Sequence, residues 1–429
     1  MHNTIKKHLL LLKLTLFLIP THVMAGEQVP PLTEQAIEVL NNTPPETTLE
    51  QDLAREREEK LEEDPLSQQQ IKKIEKPDST AKDINFIRAY GSARIRYRVK
   101  NDDGTLSDGG SRIGLKALFQ LTPGYNIFAD LEAGINLFDE LDFLFNRGSQ
   151  SSTNQFGDSI FNRLFFVGIE TPKNSFTFGK SWSTYYKVSS YTDRFDGTGA
   201  SATGTFNAFT DGGQTGTGRA DMAFQTRLHF EALPVKWGIK PFNLNIQLQQ
   251  GEPIPGIDNY KYGTTLGLSA ILTTANDYTI GLAYNHAMID KNDLPQLKQN
   301  GIHGDAQAML IGTRWFSENW YIGATLARLV NHEATSKTIY FDAWGSELYL
   351  QYQALNNVYL ISGYNYLKPD PGQPLTGSFQ TKYTVIGLRY AFNTLNRRLF
   401  LTYQFDDGRT TDNIKLADTI TLGIRWDFP

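Results

Sequence analysis

The stretch FNLNIQLQQG, residues 242–251, changes character at every step: Phe242, Leu244, Ile246 and Leu248 alternate with Asn243, Asn245, Gln247 and Gln249. A period of two describes an extended strand with one apolar and one polar face. The fold turns on which face meets water. In a soluble sandwich the apolar face packs on a second sheet and the polar face meets solvent. In a membrane barrel the apolar face meets lipid and the polar face lines the bore.

Composition narrows the choice. The chain has 429 residues, no cysteine, 36 Gly and an aromatic share of 12%. Its mean hydropathy of -0.38 argues against a bundle of membrane-spanning helices. A membrane β-barrel escapes that test, because only alternate residues need be apolar. With no cysteine, no disulfide holds the chain together in an oxidising compartment.

The N-terminus reads as an export address. Lys6 and Lys7 precede LLLLKLTLFLIP, and Val23-Met24-Ala25 offers small side chains for cleavage, so residues 1–25 are expected to be a signal peptide. Residues 26–83 change composition: fifteen acidic against seven basic residues, with few aromatics. Within them LEQDLAREREEKLEE carries helix formers on a broken leucine stripe. The expectation is an acidic periplasmic extension, partly helical or disordered, with contact to peptidoglycan or another periplasmic partner as one role for it.

Residues 84–429 are a long series of alternating segments. Sixteen strands are expected, near 88–99, 111–122, 125–138, 159–171, 174–181, 219–233, 241–251, 260–273, 276–289, 305–316, 319–331, 339–354, 358–368, 379–392, 396–406 and 416–428. Short turns such as LTPG, TPKN, SEN and LNN alternate with long connections: KNDDGTLSDGG, 139–158, 182–218 and LKPDPGQPLTGS. An even strand count with one trimmed and one elaborated end is what a bacterial outer-membrane barrel requires, with both termini on the periplasmic side. In hydrocarbon every backbone polar group needs a protein partner, so a spanning sheet must close on itself.

The wet side is therefore the inside. In TITLGIRWDF, Ile420, Leu422, Ile424, Trp426 and Phe428 share one face, while Arg425 and Asp427 share the other. The same sorting sends Arg314, Arg389, Gln351, Gln404 and Asn285 to the lumen. An Arg facing lipid at mid-membrane costs about 2–4 kcal/mol, so the charged face must be the aqueous one. Aromatics near strand ends, Trp315, Trp320, Tyr403 and Phe428, fit interfacial girdles.

On these residues the chain resembles the general trimeric porins of Gram-negative outer membranes. AYGSARIRYRV is similar to that family's first strand; SRIGLKALFQL, NRLFFVGIET and FTFGKSWSTYY are similar to its second, fourth and fifth; SYTDRFDGTG resembles the start of its third loop, and the terminal WDF its closing aromatic signal. Pro429 departs from the pattern, as the family ends on the aromatic itself. The resemblance implies a 16-stranded antiparallel transmembrane β-barrel, all-β, with long extracellular loops, short periplasmic turns and a third loop folded inward. It implies a homotrimer in contact with outer-membrane lipid and lipopolysaccharide, passing small hydrophilic solutes and ions by passive diffusion, with no cofactor, no metal, no nucleic acid and no catalysis.

The same resemblance supplies the constriction. Asp193 and Asp196 are its acidic side; Arg112, Arg163 and Arg219 occupy the matching basic positions. Arg94 stands two residues after Ser92, which replaces a first-strand Lys, and points the same way. Parity supports Arg112 and Arg219 independently, since Ile113, Leu115, Met222 and Phe224 sort outward, and it places Lys116 and Arg227 in the lumen too. Arg163 is different: Phe161, Phe165 and Val167 share its face, which points to a strand covered on both sides, by a neighbouring subunit and by the third loop. Opposed charges at a narrow pore focus a transverse field.

Other chemistries are poorly provided for. FGKS at 178–181 lacks the earlier glycine of a phosphate loop. Asp102, Asp103 and Asp108 lack EF-hand spacing and read as a hydrated turn. Of His229, His286, His303 and His332, only His229 sorts to the lumen, and no Ser-His-Asp set emerges. Trp182, Tyr185 and Tyr186 at the start of the third loop are a faint version of a sugar channel's aromatic lining, which makes a substrate-selective channel the alternative function, beside an envelope tether.

Overall fold

The computed structural model describes residues 85–137, 160–230, 239–274, 278–392 and 397–428. The expected signal peptide, the acidic segment 26–83, most of the second long loop and Pro429 lie outside those residues.

The described chain is a sequential antiparallel meander. Its strands are β1 (Phe86–Lys100), β2 (Asp103–Asp108), β3 (Arg112–Thr122), β4 (Tyr125–Ile135), β5 (Ile160–Glu170), β6 (Asn174–Trp182), β7 (Arg219–Phe230), β8 (Ile239–Gln250), β9 (Tyr262–Thr274), β10 (Thr279–Ile289), β11 (Ala306–Phe316), β12 (Trp320–Ala334), β13 (Tyr340–Leu355), β14 (Val358–Pro369), β15 (Thr381–Ala391), β16 (Arg397–Asp406) and β17 (Thr419–Phe428). The last strand returns to the first, Gly91 opposite Phe428 and Lys100 opposite Thr419, so the sheet closes. Closure leaves no unpaired edge.

These seventeen strands fill sixteen places in the wall. Both β2 and β3 pair with β1, β2 along Ile95–Lys100 and β3 along Phe86–Ser92. KNDDGTLSDGG, expected as a loop, instead turns back and continues the ladder. The break between the two strands is held by Asp108, whose Oδ1 accepts the N–H groups of Gly110 (2.6 Å) and Ser111 (2.8 Å). Gly110 has φ +97°, a conformation that suits a residue without Cβ.

The faces sort inside out. Leu282 is 54% exposed on the outer wall, whereas Gln247 of the alternating stretch is 0% exposed. A water-soluble sandwich has the opposite distribution. Ile113, Leu115, Phe165, Phe178, Phe224, Ile311, Ile386 and Ile424 continue the exposed apolar exterior around the wall; an apolar surface of this extent marks contact with lipid rather than water. Connections alternate as expected: 123–124, 171–173, 317–319 and 356–357 at one end, 183–218, 251–261, 290–305, 370–380 and 407–418 at the other. At the long-loop end Ile254, Leu297 and Ile302 pack with Tyr262, Ile289 and Tyr340 into a small apolar core of their own.

Candidate functional site

The connection 183–218, the third loop, lies inside the barrel as a hairpin along the wall. A short helix, α1 (Tyr186–Ser189), opens it. The polar residues of FNLNIQLQQG hold it: Gln247 Oε1 accepts the Thr184 N–H (3.0 Å), Gln247 Nε2 donates to the Gly216 carbonyl (2.9 Å), and Gln249 Nε2 donates to the Gly213 carbonyl (2.7 Å). The polar face of this strand is internal, but much of it is spent on the loop rather than on water.

A trail of glycines makes room. On six successive strands, β9 to β14, Gly267, Gly281, Gly312, Gly323, Gly345 and Gly363 face the bore, and a Cβ added at any of them meets the third loop. At Gly281 and Gly312 the obstacle is Val188, 2.8 Å away; at Gly323 and Gly345 it is the backbone carbonyl of Tyr191 and of Ala202, and at Gly363 the ring of Phe195. Missing side chains thus form a groove in the wall. Parity analysis passed over it because a glycine counts for neither face.

Buried carboxylates fasten the hairpin. Glu347 on β13 accepts the Thr192 hydroxyl (2.5 Å) and the N–H groups of Ala202 (2.8 Å) and Thr203 (3.2 Å), joining the outward and return limbs. Near the tip, Asp196 lies between Arg389 Nε (2.7 Å) and Arg398 Nε (2.8 Å) on β15 and β16, with its side chain 1% exposed. Arg98 adds a bond to the Gly197 carbonyl (3.2 Å), and Thr198 donates to Gln404 (2.7 Å). Burial by itself pushes the Asp196 carboxyl up, but the guanidiniums of Arg389, Arg398 and Arg425 outweigh it and hold it well below the usual carboxylate range.

This corrects one expectation. Asp196, expected on the pore surface, is a closed anchor, and Arg389, on the inner face as its parity requires, is its buried counter-ion rather than a lining charge. Asp193 remains half-buried and accepts the Tyr186 hydroxyl (3.0 Å). Trp182 and Tyr186 stack at 3.8 Å, and both rings, with Tyr185, are buried. They pack the loop and form no exposed aromatic track.

The basic residues occupy the wall beyond the loop tip. Arg94 on β1 stands opposite Arg425 on β17, and Arg425 opposite Arg398 on β16. Asp427 touches Arg425 (2.6 Å) and lies 3.9 Å from Arg94, whose Nε donates to Ser92 (2.7 Å). On the other side Glu132 is shared between Arg112 (3.2 Å) and Arg163 (2.6 Å).

Arg163 reaches Glu132 through a bulge. Glu132 faces Leu164 and Ala133 faces Asn162, which leaves Arg163 as the extra residue of β5. The extra residue re-aims its side chain inward, while Phe161, Phe165 and Val167 stay exposed outside. A register shift between Leu329 and Glu333 does the same on β12, so His332, sorted outward by parity, is buried against the third loop and its carbonyl accepts Asn207 Nδ2 (3.2 Å).

The remaining basic residues are distributed around the bore. Arg219 lies 4.9 Å over the Trp182 ring and 3.5 Å from Asp211, which also pairs with Lys180 (2.9 Å). Lys116 sits 4.8 Å over Tyr90, whose hydroxyl donates to Asp130 (2.8 Å). Arg314 stacks on Tyr191 of the loop at 4.7 Å. Arg227 is in register with Ser175 and Asn245. Sequence reasoning missed Glu132, Glu347, Arg398 and Asp427 as site residues, although each sits at an inward parity position. No group of His, Asp and Glu suited to a metal ion occurs among the described residues.

A closed barrel with an apolar exterior, a charged bore and one long loop laid inside it defines a porin-type β-barrel. No family model matches the chain, and no curated protein matches it. Solved structures do. OmpF of Salmonella typhi, in complex with daunomycin, is similar at 20% identity over 80% of this chain and 98% of its own, with a TM-score of 0.64. OmpT of Vibrio cholerae, an outer-membrane protein in trimer form, gives 16% identity over 81% and 100%, TM-score 0.55. An anion-selective porin of Comamonas acidovorans gives 15% over 80% and 100%, TM-score 0.56. The fold of this chain is that of the outer-membrane porins.

Proposed function

We propose that the chain forms a water-filled outer-membrane channel for passive diffusion of small hydrophilic solutes and ions, without chemistry on them. The observation that carries the reading is the third loop: it is seated in a glycine groove along β9–β14, and beyond its tip the wall presents the half-buried guanidiniums of Arg94, Arg112 and Arg425. A barrel filled by side chains would leave no such charges in partial contact with water. Selectivity then follows from bore width and lining charge. In this reading Asp193 and the Arg94–Arg112–Arg163 side oppose one another across the constriction, with Arg219 at the loop's root.

The protein works as a homotrimer in the outer membrane of a Gram-negative cell, with both termini periplasmic, lipid and lipopolysaccharide around the exterior, and residues 26–83 extending towards the periplasm after removal of 1–25. The trimeric form of the similar Vibrio cholerae protein supports the oligomer. Recording from the purified full-length protein in a planar bilayer tests the function: ohmic, stepwise conductance is expected, and its absence from heat-modifiable, folded protein would refute the channel. Migration of unheated against heated sample on a gel tests the trimer.

A further inference from the structure

Resting on the channel reading, we infer that this bore selects small anions, and that Arg94 and Arg425, with Arg112 beside them, form the station where a permeating oxoanion or carboxylate is held. The argument begins with register. Arg94, Arg425 and Arg398 are directly opposed on three adjacent strands, β1, β17 and β16. Like charges directly opposite one another in a sheet destabilise it, so this level of the wall calls for negative charge from elsewhere.

The protein's own carboxylates are already committed. Asp196 is closed between Arg389 and Arg398, and Glu132 between Arg112 and Arg163; these two carboxylates are 1% and 5% exposed. Asp427 pairs with Arg425 and lies more distantly from Arg94. Along this row what faces water is chiefly positive: Arg94 and Arg425 are each 20% exposed and Arg112 12%, against 18% for Asp427. At the root of the third loop Asp211 and Asp221, 29% and 24% exposed, are paired with Lys180, and Asp211 also with Arg219, while Asp193 accepts the Tyr186 hydroxyl.

Geometry suits the ligand class. A guanidinium offers a planar fork of donors that matches carboxylate, phosphate and sulfate oxygens, and the side chains of Arg94 and Arg425 each keep 20% of their surface open. Low-dielectric walls concentrate the field of such a row and raise the local concentration of anions. Formal charge over the whole chain is -5, so the preference is set by the placement of charge and not by its sum.

The test is the reversal potential of the purified full-length protein in a planar bilayer under a steep potassium chloride gradient. The expected sign is that of chloride permeating severalfold better than potassium. Arg94→Gln with Arg112→Gln should move the ratio towards potassium, and sulfate, which should reduce the wild-type chloride current in a saturable manner, should do so only at severalfold higher concentration in the variant. A wild-type channel that conducts but prefers potassium overturns the inference and leaves the channel reading standing; so does an anion preference, or a sulfate effect, unmoved in a variant that keeps its heat-modifiable fold. If the variant does not fold, the wild-type sign decides alone. Folded protein without conductance overturns both readings together.

Discussion

Replacing Asp196 by Asn should unfasten the tip of the third loop without unfolding the barrel. In the wild type the carboxylate is buried between Arg389 Nε and Arg398 Nε, and Arg389 also donates to Gln351 (2.9 Å) and to the Arg194 carbonyl (3.2 Å). Removing one member of a buried charge set leaves the others uncompensated and costs about 3–5 kcal/mol. Here much of that strain is relieved if the tip lifts and water reaches the two guanidiniums. The attached-to-detached equilibrium of the tip should therefore shift by about two to three powers of ten. Single-channel traces of Asp196→Asn should show frequent open-state fluctuation where the wild type is quiet, while the heat-modifiability midpoint, set by strand pairing, moves little. Adding Arg389→Gln and Arg398→Gln should restore part of the quiet state, because the charges then leave together. The pH dependence has a definite sign. The Asp196 carboxyl is held low in the folded state, so its stabilisation is complete above the ordinary aspartate value of about 3.9 and is lost only as pH falls through the lower folded value. Fluctuation should be flat from neutrality down to about pH 4 and rise only below it. A variant whose traces match the wild type, or a wild-type loop that loosens near pH 6, would refute the anchor.

Three further outcomes are expected. Gly345→Ala puts a methyl group against the Ala202 carbonyl and should destabilise the seated loop by about 1–3 kcal/mol, read as altered conductance and reduced folded yield; Gly263→Ala, whose nearest neighbour is Met288 Cβ at 3.6 Å, should be silent in both. Leu282→Arg places a charge on the exposed apolar exterior and should cost about 2–4 kcal/mol, measured as lost insertion into lipid vesicles, whereas Leu282→Met should insert normally. Asp193→Asn removes the loop carboxylate outside the Asp196 anchor and should move the reversal potential towards anions; no shift would remove Asp193 from the constriction.

Much was legible in the residues alone. Strict alternation in segments such as FNLNIQLQQG and TITLGIRWDF, with short and long connections taking turns, dictates an inside-out closed sheet, because side-chain period and the need to satisfy every backbone group are properties of any strand wherever it lies. The inward aim of Arg112, Arg389 and Arg425 comes from the same local rule, whereas the inward fold of the third loop was implied only by the family resemblance. What tertiary structure decided is who meets whom. Arg163 and His332 face inward only because their own strands carry extra residues against the partner strand, one on β5 and two on β12, and a bulge has no signature in period-two counting. Asp196 became an anchor because two arginines roughly 200 positions further along the chain arrive beside it. Register between distant strands is set by the closure of the whole barrel, so the charge left facing the water is a property of the assembled wall and not of any single stretch of sequence.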